Sequence, residues 1–335
     1  MASICVLGGG LVGRYIAVTL DGRGHDVRLV DLTDIEDLPP SIVQIQQRIE
    51  LDDVTSIVAG SDVVVNCLPG RVGHAVRAPL LSIEGMRVAD LAFTAEDPRE
   101  FHSLALEHGS ELLFDLGIAP GLSNLLVADA LLDGPADSAR IWVGGNPQVP
   151  DDDWSYMAPF SPSDVIEEYT RPARILRDGK IVAAPALSER HRMMTPCGEM
   201  EAFLTDGVRS LLDTVAIPNL IEYTLRWPGH IDRYLAGDFL ETDLIEAWRF
   251  DPARPEFTYL RVEVGDQVWT VFDAGGPDGS SMARTTGLVC VDVAEMMAEG
   301  GGLGPGVYAP EALVQTDALR RILTTLDAAG VSIEG

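Results

Sequence analysis

Three glycines near the start of the chain have types and spacing suited to binding a phosphate group. Gly8, Gly10 and Gly13 lie between an apolar segment and an amphipathic one, and Asp31 ends the next apolar segment. Gly8 permits a tight turn after a strand, Gly10 lets a pyrophosphate approach the backbone, and Gly13 lets the following helix pack closely. The spacing predicts a dinucleotide site, and a glycine-rich turn without a ligand is the alternative.

The helix that follows Gly10 is expected to direct the backbone amides of Leu11, Val12 and Gly13 towards a diphosphate. Asp31 is placed to accept hydrogen bonds from both ribose hydroxyls and to repel a 2′-phosphate. The sequence therefore favours NAD as the cofactor over NADP.

Residues that follow the later strands are expected at the same sheet edge, where ligands of open α/β sheets bind. Asn66, Leu68 and Pro69 follow the apolar segment at 62–67, and their backbone would line the ribose and nicotinamide. The alternative is a turn stiffened by proline.

Two aspartates and one histidine are the candidates for moving a proton. Asp90 ends an apolar segment and could reach the nicotinamide or a substrate amine, although a capping role competes. Asp115 ends the strand before GIAPG, a turn that feeds a helix N-terminus, and cap and turn chemistry alone would explain that motif equally well. His230 could take a proton near neutral pH, and a purely structural histidine is the alternative.

Three charged residues are candidates for binding a zwitterionic substrate. In LTDGVRSLL, Asp206 and Arg209 are predicted on one face of a helix near 206–213, either paired with each other or facing a substrate. Arg226, in TLRWPGH, could clamp a carboxylate bidentately. A surface ion pair is the alternative for the first two.

Composition narrows the class of protein. The 335 residues carry 52 acidic and 24 basic side chains, a formal net charge of −28, so nucleic acid is not expected as a partner. No apolar run approaches the roughly 18 residues that span a membrane, and no leader is recognisable, so a cytoplasmic protein is expected. The four cysteines are scattered, which suggests neither a disulfide framework nor a metal site.

Strand and helix patterns alternate up to about residue 117, which predicts a doubly wound parallel sheet. The following block has short strands and a hairpin, typical of an α+β domain with mainly antiparallel pairing. The last two helices resemble ones that cover a sheet. We therefore expect a discontinuous first domain, 1–117 and 281–335, and an inserted second domain, 118–280.

Taken together, several motifs resemble the saccharopine dehydrogenase-like proteins, specifically the lysine 6-dehydrogenase branch. The match runs in order along nearly the whole chain. The similar segments are VLGGGLVG, VNCLPG, FDLGIAPGLSN, WVGGNP, SPSDVIEEYTRPARIL, DGVRSLL, TLRWPGH, SMARTTG and GVYAPE. Saccharopine-forming reductases usually have an acidic residue where Ala119 stands and a cysteine where Val143 stands, so both differences favour the lysine branch.

The resemblance implies a Rossmann domain with an inserted domain for substrate binding and dimerisation. It implies NAD-dependent oxidation of the terminal amine of L-lysine or a close analogue, giving ammonia and an aldehyde that cyclises. A base would be needed, with Asp90, Asp115 and His230 as candidates. Arg209 or Arg226 would bind the α-carboxylate and Asp206 the α-ammonium. Reductive condensation of the saccharopine or opine type, and NAD binding without catalysis, are the alternatives.

Overall fold

The computed structural model describes every residue from Met1 to Gly335. The strands are β1 (Ser3–Leu7), β2 (Asp26–Asp31), β3 (Val43–Gln46), β4 (Val63–Asn66), β5 (Arg87–Asp90), β6 (Glu111–Leu113), β7 (Ala139–Pro147), β8 (Ala173–Arg177), β9 (Lys180–Ala184), β10 (His191–Thr195), β11 (Gly198–Leu204), β12 (Leu220–Arg226), β13 (Glu256–Val264), β14 (Gln267–Asp273), β15 (Gly306–Tyr308) and β16 (Ser332–Glu334).

The helices are α1 (Leu11–Gly22), α2 (Val54–Ile57), α3 (Gly70–Leu81), α4 (His102–His108), α5 (Leu122–Leu132), α6 (Pro162–Thr170), α7 (Leu211–Thr214), α8 (His230–Ala236), α9 (Glu241–Ala247), α10 (Ser281–Ala298) and α11 (Ala318–Ala328). Short 3₁₀ turns cover Leu51–Asp53, Pro98–Phe101 and Pro310–Gln315.

The chain divides into two compact units. The first comprises Met1–Gly117 and Thr286–Ile322, and the second comprises Ile118–Thr285 and Leu323–Gly335. The chain was expected to return to the first domain at residue 281. The division between the two units instead falls inside α10, and the first unit resumes at Thr286. The assignment of all of 281–335 to the first domain is also wrong, because β16 pairs antiparallel with β14 and carries the end of the chain into the second unit.

The first unit is built on a seven-stranded sheet in the order β15-β6-β5-β4-β1-β2-β3. Every pair in it is parallel. The central strands β1 and β4 are mostly apolar and largely buried, with Ile4, Leu7, Val63 and Val65 all inaccessible to solvent, as expected for parallel strands covered on both faces. The doubly wound Rossmann sheet predicted from the sequence is confirmed.

The second unit contains a mixed nine-stranded sheet. Its main order is β10-β11-β12-β7-β13-β14-β16, with β8 paired to β12 and β9 paired to β8. β12 and β7 are parallel and all other pairs are antiparallel. The expected α+β domain with mainly antiparallel pairing is confirmed. No helix of the chain has both the length and the apolar character needed to cross a bilayer.

Candidate functional site

The glycine turn after β1 has the shape required to cradle a diphosphate. Gly8 has a φ of 96°, and a Cβ on Gly13 would lie 1.9 Å from the Gly8 carbonyl oxygen, so neither position tolerates a side chain. A Cβ on Gly10 would meet nothing within 4 Å, so the space beside it is open. The first intrahelical bond of α1 is donated by the amide of Arg14 to the Gly10 carbonyl at 2.9 Å. The first amides of α1, those of Leu11, Val12 and Gly13, precede this bond and fit the diphosphate role.

Asp31 holds the same turn from the end of β2. One of its carboxylate oxygens accepts a hydrogen bond from the Gly9 amide at 2.7 Å, and the other accepts from the Thr33 amide at 2.8 Å. Burial raises the pKa of Asp31, but these hydrogen bonds outweigh it and keep the pKa below its usual range. The residue is therefore ionised at neutral pH, as binding of ribose hydroxyls requires.

Asn66 shapes the turn between β4 and α3 with its side chain. Its Nδ2 donates to the Gly73 carbonyl at 3.0 Å, and its Oδ1 accepts from the Leu68 amide at 3.4 Å. Pro69 immediately precedes α3. The buried side chain of Asn66 is thus used within the protein, and cofactor contacts of the Leu68 and Pro69 backbone stay a prediction.

Asp90 is one of the three candidate bases, with a capping role as the alternative, and its surroundings favour the alternative. One carboxylate oxygen accepts from Arg77 Nε at 2.7 Å and the other from the Ala92 amide at 2.7 Å, and both charged side chains are inaccessible to solvent. Arg77 also donates to the Thr94 hydroxyl and the Ala92 carbonyl. Both oxygens thus have a partner within the protein, which favours the capping role for Asp90, in the loop after β5, over that of a base.

Asp115 lies beyond the end of its strand rather than at it. β6 ends at Leu113, and Asp115 is buried with a φ of 56°, in the left-handed region that non-glycine residues rarely adopt. The amide of the next residue, Leu116, donates to the Asp90 carbonyl at 3.2 Å. The reversal of the backbone at Asp115 thus ends the predicted strand early.

The APGLSN turn is stabilised from within. The Gly121 amide donates to Asn124 Oδ1 at 3.1 Å, and the Ser123 amide donates to the Ile118 carbonyl at 3.0 Å. Since these amides already have acceptors, the structure favours cap and turn chemistry over anion binding at the start of α5.

The predicted helix face with Asp206 and Arg209 does not exist. Both residues lie in the loop before α7, and Arg209 is buried with a φ of 56°. The fully buried Asp206 accepts from the Arg174 backbone and guanidinium at 2.9–3.0 Å, and Arg171 Nε lies 3.1 Å from it. Arg171, which follows α6, and Arg174, on β8, thus engage the buried Asp206 carboxylate, which argues against a contact with a substrate ammonium.

Arg226 ends β12 and is buried, with 3% of its surface exposed. Its Nε donates to the Tyr169 hydroxyl at 2.9 Å, Nη2 donates to the Tyr156 hydroxyl at 3.2 Å, and Nη1 donates to the Leu225 carbonyl at 2.9 Å. The guanidinium also lies 4.2 Å from the centre of the Tyr156 ring. All these partners are neutral, and no carboxylate lies within ion-pair distance of Arg226.

His230 does not titrate near neutral pH, contrary to the prediction. Its Nδ1 lies 3.0 Å from the Trp154 carbonyl, which only accepts, so this nitrogen carries the proton. Nε2 then accepts from the Tyr169 hydroxyl at 3.1 Å. Burial, assisted by the charge of Arg226, lowers the pKa of His230 to about 3. The ring is a neutral support for Tyr169, with both nitrogens bonded, and is not a base.

Sequence reasoning missed a second group of buried polar residues on the strand that carries Arg226. Glu222, Thr224 and Arg226 alternate along β12 and are all buried, so they share one face of the sheet. Glu222 accepts from the Thr205 hydroxyl at 2.6 Å, and Thr205 lies 2.8 Å from the Thr224 hydroxyl. The signal was the polar residue at every second position of LIEYTLRW.

Two carboxyl groups in this region titrate unusually high. Burial raises the pKa of Glu222 to about 8, against the opposing hydrogen bond from Thr205 and with added repulsion from Glu168. Burial likewise raises the pKa of Glu168, on α6, to about 7, although Arg226 and Arg171 lower it. No cation lies within ion-pair distance of either carboxyl group. Such strongly shifted pKa values are common at functional sites.

Comparison with known proteins identifies the family. The model of the saccharopine dehydrogenase C-terminal domain matches residues 117–237 and 236–331, well over half of the chain. The chain therefore belongs to the saccharopine dehydrogenase family, and the resemblance to that family noted in the sequence is confirmed.

The curated relatives include the mitochondrial alpha-aminoadipic semialdehyde synthases of Rattus norvegicus and Bos taurus. The rat protein is 23% identical over 279 residues, which are 76% of this chain and 29% of the relative. The bovine protein is 24% identical over 220 residues, 61% of this chain and 23% of the relative. The chain thus spans less than a third of the length of these relatives.

A solved structure shares the whole fold. Saccharopine dehydrogenase (L-Glu forming) from Saccharomyces cerevisiae superposes with a TM-score of 0.73 at 16% identity, covering 100% of this chain and 99% of that one. At this identity the likeness establishes the fold alone.

Proposed function

We propose that the protein is an NAD-dependent oxidoreductase that removes the terminal amine of L-lysine or a close analogue. Hydride transfer would leave an imine and NADH, and water would hydrolyse the imine to ammonia and an aldehyde that cyclises. The observation that carries this proposal is Arg226, a buried guanidinium bonded only to neutral acceptors.

A buried cation without a counterion is costly, because desolvation is not repaid by an ion pair. Arg226 directs three N–H groups to two tyrosine hydroxyls and one carbonyl, which leaves two of its five N–H groups for another acceptor. A substrate α-carboxylate would supply the missing negative charge in a bidentate contact. Arg226 therefore supports an amino-acid substrate.

A bound nicotinamide dinucleotide would supply the hydride acceptor, held by the turn at Gly8, Gly10 and Gly13, with Asp31 at its ribose. The ionised Asp31 carboxylate supports NAD over NADP, since it would repel a 2′-phosphate.

The reacting amine has to be neutral, because an ammonium has no lone pair with which to form the imine. The ordinary pKa of a lysine amine is about 10.4, so a base has to accept its proton. Both ring nitrogens of His230 have partners within the protein, and the Asp90 carboxylate already accepts from Arg77 and from the Ala92 amide. Asp115 and the two carboxyl groups with raised pKa values, Glu168 and Glu222, are the further candidates for the proton acceptor.

The proposal is tested by following NADH formation at pH 9 with L-lysine, then with a panel of diamines and ω-amino acids. NADH production with L-lysine, with kcat/KM rising from pH 7 to pH 10, is expected. A flat profile would contradict the proton scheme. Consumption of NADH with an amino acid plus a keto acid or aldehyde, but no oxidation of lysine, would indicate reductive condensation. Tight NAD binding without turnover of any amine would indicate a non-catalytic protein.

A further inference from the structure

The second unit holds a buried carboxyl group that no cation neutralises. Glu222 is 3% exposed, and its hydrogen-bond partners are the Thr205 hydroxyl, at 2.6 Å, and the Gly207 amide. A Cβ on Gly207 would lie 2.5 Å from Glu222 Oε2, so glycine is needed for the loop to approach this closely. The nearest acidic neighbours are Asp206, which is paired with arginines, and Glu168. The fold thus encloses the carboxyl group with neutral donors.

Glu222 and Arg226 lie on the same face of one strand, four residues apart. A strand rises about 3.3 Å per residue, so their Cα atoms are about 13 Å apart. Glu168 lies close enough to both to influence their charges, because it raises the pKa of Glu222 and its own pKa is lowered by Arg226. One buried cation and one buried carboxyl group, each without an ion-pair partner, therefore stand along one strand face.

We propose that Glu222 is a specificity residue that binds the side-chain ammonium of a basic amino acid whose α-carboxylate is held by Arg226. The inference rests on the proposed function and deepens it, because it explains why a basic amino acid would be chosen over a neutral or dicarboxylic one. The buried guanidinium and the buried carboxyl group would each gain a partner of opposite charge only when such a ligand is present. A ligand with one carboxylate and a distant ammonium matches this arrangement.

The proton balance of binding follows from the burial of the carboxyl group. At neutral pH the carboxyl group of the free protein holds its proton, because burial disfavours the charged form. An incoming ammonium favours the carboxylate, so the carboxyl proton leaves to solvent and an ion pair forms. Binding of a basic amino acid thus releases a proton, whereas a ligand without the side-chain amine releases none.

The test compares L-lysine with L-norleucine, which keeps the α-amino acid group and lacks the terminal amine. Isothermal titration calorimetry of the full chain at pH 7, in buffers of different ionisation enthalpy, measures affinity and proton release together. We expect wild type to bind L-lysine at least tenfold more tightly than L-norleucine and to release close to one proton with L-lysine only. We expect Glu222→Gln to lose both the preference and the proton release, with L-norleucine bound as in wild type.

Glu263→Gln is the matched control, because Glu263 is a partly exposed residue that pairs with Arg261 on β13. It is expected to behave as wild type. Equal weakening of both ligands in Glu222→Gln, or proton release that persists in it, would overturn the inference. The wild-type proton count alone decides the matter if the variant does not fold, since release of no proton contradicts the proposal.

The inference and the proposed function fail separately. If wild type forms NADH from L-lysine, but Glu222→Gln keeps the preference for L-lysine over L-norleucine, the role of Glu222 is contradicted and the proposed function stands. If the preference for L-lysine over L-norleucine depends on Glu222, but no NADH forms, the proposed reaction is contradicted and the binding role of Glu222 stands. Failure of wild type to bind L-lysine would remove both.

Discussion

Arg226 Nε donates a hydrogen bond to the Tyr169 hydroxyl across 2.9 Å, inside the second unit of the chain. The same hydroxyl donates onwards to His230 Nε2, and His230 is held in turn by the Trp154 carbonyl. Each donor in this series has one acceptor, so the orientation of the guanidinium is set by groups that carry no charge. The arrangement keeps a buried cation in place without neutralising it.

Replacing Tyr169 by phenylalanine is expected to destabilise the protein by about 1–3 kcal/mol, because the buried Arg226 Nε loses its acceptor and His230 loses its donor. Urea unfolding at pH 7 measures the change. Tyr234→Phe is the control, because Tyr234 packs on Tyr169 and its hydroxyl makes no hydrogen bond within the chain. Loss of the Tyr234 hydroxyl is expected to lower the free energy of unfolding by less than about 0.5 kcal/mol. Equal effects of the two variants would contradict the assignment.

Replacing Arg226 by methionine is expected to lower kcat/KM for L-lysine by about 1.5–3 kcal/mol of transition-state stabilisation, roughly ten- to hundredfold. The reason is the loss of the proposed carboxylate contact. Steady-state NADH formation at pH 9 measures it. Arg261→Met, which removes an arginine paired with Glu263 on β13, is expected to leave the kinetics unchanged. Unchanged kinetics in Arg226→Met would reassign Arg226 to a structural role.

The stability of the protein is expected to depend on the ionisation of Glu222. Its pKa is about 8 in the folded protein and 4.5 ordinarily, so between these pH values the folded state holds a proton that the unfolded state has lost. The contribution of Glu222 to stability therefore falls as the pH rises through this interval.

Urea unfolding at pH 5.5 and pH 8 is expected to show a larger loss of stability with rising pH in wild type than in Glu222→Gln. The difference between the two proteins should reach at most about 3 kcal/mol, since one pKa unit corresponds to about 1.4 kcal/mol. Identical pH dependence in the two proteins would show that Glu222 is ionised in the folded state.

Asp90→Asn is expected to destabilise the first unit by about 3–5 kcal/mol, because it leaves the buried Arg77 without its partner. The double variant Asp90→Asn with Arg77→Met is expected to recover part of this loss, since it removes the unpaired cation as well. Urea unfolding is again the measurement. Full stability in Asp90→Asn together with lost activity would instead support the original assignment of Asp90 as a base.

Asp31→Asn is expected to weaken NADH binding and to reduce the preference for NADH over NADPH by about tenfold, which corresponds to about 1.4 kcal/mol. An asparagine keeps one acceptor oxygen and no longer repels a 2′-phosphate, while the Gly9 amide can still be bonded. Cofactor fluorescence titration with NADH and NADPH measures both affinities. Equal affinity of wild type for the two cofactors would contradict the preference for NAD.

Much of the first unit was predictable because its signals are local. A side chain on Gly13 would collide with the Gly8 carbonyl five residues earlier, and the apolar composition of the strands predicts a buried parallel sheet. The second unit was less predictable. β10 and β11 were not expected, and the loop at Asp206 reads as a helix until Arg171 and Arg174 are brought beside it.

The sequence by itself determined the glycine turn after β1, the two-domain organisation in outline and the family resemblance, because sterics and hydrophobic periodicity act over short stretches of chain. Only the tertiary structure decided which charged groups are satisfied. The hydrogen bonds that decide this join residues far apart in the sequence. Asp90 and Arg77 are 13 residues apart, Asp206 and Arg174 are 32 residues apart, and His230 and Trp154 are 76 residues apart. Burial and through-space pairing set these protonation states. Only the assembled strands therefore show that the Arg226 guanidinium and the Glu222 carboxyl group both lack an ion-pair partner.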